Sequence, residues 1–158
     1  MDDLAIARAL HVLGVVLWIG GVGMVTLVIL PAVRRIEVPE RRIALFEAVE
    51  GRFAGQAKLW TVLTGLSGLY LVIRFDLWER FLAVEYWWMA AMVLVWAIFT
   101  VVLFVAEPLF LHRWFAERAR RDPEGTLRLV ERFHRVLLAV SLITVAGAVI
   151  GSHGWAWW

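Results

Sequence analysis

The 158 residues contain no cysteine, which excludes disulfides, thiolate metal sites, iron–sulfur clusters and cysteine nucleophiles. Charged residues are scarce at 19%, against about 25% in a soluble globular domain. No phosphate loop, nucleophile triad or paired-carboxylate site can be traced, and there is no internal repeat or low-complexity tract. The opening Met1-Asp2-Asp3 lacks a basic n-region, and no small-residue cleavage site follows the first apolar run. That run is therefore expected to be a retained helix and not a signal peptide.

What the chain has in abundance is apolar surface. It is 62% hydrophobic with a mean hydropathy of +0.77, more than a protein of this size can hide from water. The ten tryptophans fit the same picture, because indole rings favour the bilayer interface. A single transmembrane domain over residues 1–158 is predicted. Four stretches, at about 4–33, 53–73, 86–111 and 134–152, are long enough to cross roughly 30 Å of hydrocarbon at about 1.5 Å per residue. Helices are required there, since lipid offers no partner to free backbone N–H and C=O groups. The fold class expected is all-α: an antiparallel four-helix bundle with up-down topology. Short connections make successive helices antiparallel neighbours. A short amphipathic surface helix is expected in the first loop, where Ile43, Leu45, Phe46 and Val49 alternate with Arg41, Arg42, Glu47 and Glu50. The other charged loop turns at Asp122-Pro123-Glu124-Gly125.

Orientation follows from the basic residues. Thirteen of the sixteen fall in the first and third loops and the adjoining helix ends; only Arg8, Arg74 and Arg80 lie on the other side. The positive-inside rule then puts both loops in the cytoplasm and both termini outside. Trp78, Trp87, Trp88, Trp155, Trp157 and Trp158 would form an aromatic belt at the outer interface. The pI of 9.7 is a product of these loops, so no nucleic acid is expected as a partner. The expected partners are the lipid bilayer and a redox partner or a second copy of the chain, the latter because Gly147 and Gly151 bracket a small-residue dimerisation pattern.

Histidines inside a membrane are costly and so are candidates for function. His11 lies about two turns into the first helix, with Ala7, Gly14, Trp18 and Gly21 on its stripe. Small residues on either side of an imidazole leave room for a flat ring such as a porphyrin. The alternative is that the glycines allow close helix packing while His11 bonds a neighbouring carbonyl. His153 closes the fourth helix at similar depth, and two such imidazoles suit bis-histidine haem b ligation or a copper ion. His112 and His134, among arginines, are expected to face solvent or lipid headgroups. Met89 and Met92 offer thioethers to copper, or simply fill space. Lys58 and Glu107, each about a turn inside the boundary, are expected to form an ion pair across the bundle.

The run Leu10-His11 through Trp18-Ile19-Gly20-Gly21 resembles the opening helix of two bacterial membrane families, the CopD-type copper-resistance proteins and the HemJ-type protoporphyrinogen oxidases. The likeness extends into 46–53 and Thr64-Gly65-Leu66. It implies a bacterial inner-membrane location and, for the HemJ-type family, haem with His11 as a ligand. That family has a histidine soon after the Trp opening helix three. Here Trp88-Met89-Ala90-Ala91-Met92 places Ala90 there, so the second ligand is absent and His153 is the first replacement. The leading expectation is a small b-type haem membrane protein for electron transfer or porphyrin-linked redox chemistry. The alternatives are copper handling through His11, His153, Met89 and Met92, and a non-catalytic membrane scaffold.

Overall fold

The computed structural model describes residues 2–36 and 38–153. The chain is all-helical, with no strand among the described residues. The first helix covers 2–34: an α segment Asp2–Met24, a π turn Val25–Ile29 and a last α turn Leu30–Arg34 that contains Pro31. The second runs without a break from Pro39 to Phe75 and is stopped by Asp76 in the left-handed region (φ 51°). Two 3-10 turns, Trp78–Leu82 and Val84–Tyr86, lead into the third. The third comprises Trp87–Val101, a π segment Val102–Leu111 around Pro108, and His112–Arg121. The fourth, Pro123–Ser152, follows after Asp122 alone. Asp122 caps it by accepting the Gly125 N–H at 2.8 Å, which satisfies one of the donors a helix start leaves free.

Two expectations are corrected. The amphipathic surface helix is not a separate element, because residues 39–52 are the first turns of the second helix. No proline interrupts that stretch after Pro39, and Gly51 and Gly55 face open space, where a helix tolerates them at modest cost. The charged loop at 113–132 is likewise helical on both sides of Asp122. Trp155, Trp157 and Trp158 lie outside the described residues.

Three helices are long and apolar enough to cross a membrane, at Asp3–Arg34, Val84–Arg121 and Pro123–Ser152. The second is interrupted by Gln56, Lys58, Thr61, Thr64 and Ser67 and does not meet that measure along any stretch. The helices meet around two apolar clusters, each drawing on all four. One contains Trp18, Val22, Ala57, Val95, Phe99 and Leu138, with the Trp18 and Phe99 rings edge to face at 4.8 Å. The other contains Leu30, Val33, Phe46, Phe115 and Leu127. Large apolar side chains also stand on the outside of the helices. Leu27, Leu66, Leu94 and Val136 are all more than 60% exposed, whereas Thr61, Thr64, Ser67, Ser141 and Thr144 are buried.

Candidate functional site

The first and second helices share a long seam, and His11 sits on it, half-buried. Its Nδ1 is 3.0 Å from the Thr64 carbonyl oxygen. A carbonyl only accepts, so Nδ1 must carry the proton, and Nε2 is left with its lone pair. Ser67 Oγ, itself donating to the Leu63 carbonyl at 2.6 Å, stands 3.4 Å from the same nitrogen. Gly68 makes the approach of the ring feasible: a Cβ there would stand 2.9 Å from His11 Cε1 and 3.1 Å from Nδ1. Thr64, Ser67 and Gly68 were not anticipated as partners of His11. The signal for them is the three-residue recurrence of small polar groups at Thr61, Thr64 and Ser67, which puts them on one helical face.

The rest of the small-residue stripe does not enclose a ring-sized space. Ala7 is buried, Gly14 is covered by the Thr64 side chain and Gly21 by the Phe53 ring. Trp18 is 3% exposed, its Nε1 without a hydrogen-bond partner. Gly14 and Trp18 therefore close the helix seam. A recess of about 490 Å³ lies further along these helices, lined among others by Leu17, Gly21, Met24, Arg52, Gln56 and Trp60. Gly21 is its one residue from that stripe, and no histidine lines it, so the recess and the candidate ligand lie in different places. We give the imidazole more weight, since the recess offers no nitrogen ligand.

His153 stands exposed at the end of the fourth helix with Nδ1 2.7 Å from the Val149 carbonyl, again leaving Nε2 free. His134 repeats the motif on Val130 at 2.9 Å and lies edge-on to Phe46; it is half-buried. His112 is exposed. Met89 is buried and Met92 half-buried in the third helix. Among the described residues, no three histidine or carboxylate side chains converge as a metal site.

Charged groups gather at two places. Lys58 Nζ and Glu107 Oε2 are 2.7 Å apart. The contact is an ion pair by distance, but its direction misses hydrogen-bond geometry. Glu107 sits in the π segment, just before Pro108. Glu50, one long step along the second helix, has its carboxyl raised above the usual range, first by burial and then by the Glu107 charge, with His112 opposing. The second place is Glu131. It is 5% exposed and holds both Arg34 at 2.6 Å and Arg135 at 2.5 Å, tying the end of the first helix to the fourth. A carboxylate four residues before Arg135 was the available sign.

Fold and site together define an all-helical chain with three helices long and apolar enough to cross a membrane, carrying an oriented imidazole on its longest helix seam. No family model, curated protein or solved structure matches it.

Proposed function

We propose that this chain is a multi-pass membrane protein, and that His11 would hold haem b, used in electron transfer or porphyrin-linked redox chemistry. The haem reading is supported by the His11–Thr64 hydrogen bond, a bond that close helix packing alone would also give. A metal-binding histidine characteristically gives its second N–H to a carbonyl, which fixes the tautomer and aims the other nitrogen. His153, with Nδ1 on Val149, is the second candidate ligand. When bound, haem would supply a one-electron couple; the chain supplies the imidazole, its orientation and apolar surroundings.

Four crossings in up-down order, both termini outside, belong to the same reading. In the second helix Thr61, Thr64 and Ser67 are buried while Leu59, Leu66, Leu69 and Ile73 are exposed. That inversion supports a helix packed in lipid through small polar groups. Opposed pairings support the antiparallel order: Gly14 meets Thr64 and Gly21 meets Phe53, Thr61 meets Trp96 and Lys58 meets Glu107. A bacterial inner membrane is proposed from the family resemblance.

A non-catalytic scaffold is the second reading, favoured by the closed Gly14 face. Copper handling remains an outcome of the same experiment. Protein purified from cells well supplied with haem should carry it stoichiometrically in a pyridine haemochrome assay. Copper in its place by elemental analysis would favour the alternative donors, and neither would leave the scaffold.

A further inference from the structure

Where the third helix turns into the fourth, Arg118, Arg128 and Arg132 line one recess of about 190 Å³ together with Gly125 and Leu129. No carboxylate lines it. Among the described residues, Arg118 and Arg132 form no ion pair; Arg118 lies over the Trp114 ring at 5.7 Å. Arg128 has only Glu124, at 3.9 Å, and Glu124 is already held by Arg42. Asp122, whose carboxylate accepts the Gly125 N–H, stands at the edge; the concavity still holds three guanidinium groups, of which Arg118 and Arg132 have no carboxylate partner among the described residues, an arrangement that favours an anion. Guanidinium forks match phosphate oxygens in pairs.

What lies next to the recess identifies the source of the anion. Leu129, Phe133 and Val136 continue from it along one face of the fourth helix, 41%, 44% and 61% exposed, and Trp114, beside Arg118, is 42% exposed. A charged pocket opening onto an apolar stripe matches a molecule with a phosphate head and a hydrocarbon tail. We infer that this recess binds the headgroup of an anionic phospholipid, its acyl chain lying along Leu129, Phe133 and Val136. Basic pockets between spanning helices are where such headgroups are held. The inference rests on the membrane reading above and is independent of haem.

The test is native mass spectrometry of the full chain from mixed micelles holding phosphatidylglycerol and phosphatidylcholine in equal amounts. The wild-type protein should retain phosphatidylglycerol selectively. R132Q should weaken that retention about fivefold, the effect of one arginine near a lipid surface, and R118Q/R128Q/R132Q should abolish the selectivity. R113Q/R120Q/R121Q removes equal charge outside the recess and should keep it. Equal retention of both lipids by the wild type, or equal loss in the two triple variants, would overturn the site. Displacement of the lipid by millimolar inorganic phosphate would also overturn it, making the recess a free-anion site. If R118Q/R128Q/R132Q fails to fold, R132Q alone decides. A chain that stays monodisperse without detergent would sink the membrane reading; a detergent-dependent chain without lipid selectivity would sink this inference alone.

Discussion

Lys58 on the second helix and Glu107 on the third form an ion pair at 2.7 Å, each side chain about one-third exposed (33% and 31%). Each lies about a turn inside the expected membrane boundary, where water reaches it only in part, so removing one leaves the other poorly solvated. Lys58→Met or Glu107→Gln alone should cost about 1–2 kcal/mol, below the cost of breaking a fully buried pair because of that exposure. The double variant should recover part of the loss. A double-mutant cycle on unfolding in mixed micelles measures this, and strictly additive losses would show that the pair is not coupled.

Gly68 and Gly65 set how closely their neighbours approach the second helix. A methyl group at Gly65 would stand 2.6 Å from Trp96 Nε1, whose N–H donates to the Thr61 carbonyl at 2.9 Å. Gly65→Ala should therefore lower stability by about 1–3 kcal/mol through overpacking. Gly68→Ala should push the His11 ring away from Thr64, at a cost of about 1 kcal/mol for the lost hydrogen bond. Thermal melts in detergent provide the check; unchanged melting in both variants would show that these contacts are not made.

Glu50 predicts a pH dependence. Its carboxyl is raised in the folded chain, so the folded state holds a proton that the unfolded state has already released at the same pH. The penalty for ionising Glu50 is absent below the usual carboxylate range and develops as pH rises from there through the raised value. Glu50→Gln should accordingly raise the melting temperature at neutral pH and have little effect in acid. A stabilisation of equal size at both pH values would assign the effect to packing.

Much of the architecture is legible in the residues themselves. Apolar runs interrupted by few charges mark the first, third and fourth helices, and Lys58 with Glu107 could be paired from depth alone. The joins are less legible. Charge marks 39–52 as a separate surface helix and 113–132 as a loop, yet these stretches hold no internal breaker except around Asp122 and Pro123, and the spanning helices continue through them. The π turns also have a sign in the sequence. Pro31 stands two residues beyond the end of one and Pro108 lies inside the other. A proline within a helix removes an N–H and crowds the carbonyl of the preceding turn, and a wider turn absorbs that. At the site, His11 stood out on its own, but which helix would fill the face beside it depended on Thr64 and Phe53, tens of residues away in sequence.

The central claim is that His11 presents Nε2 to a haem iron. The direct measurement is the reduced-minus-oxidised optical spectrum of equal amounts of folded wild-type and His11→Ala protein from haem-supplemented cells. The account predicts a Soret band that shifts on dithionite in the wild type and is lost in the variant. A colourless wild-type protein, or a variant whose band is undiminished, would contradict it.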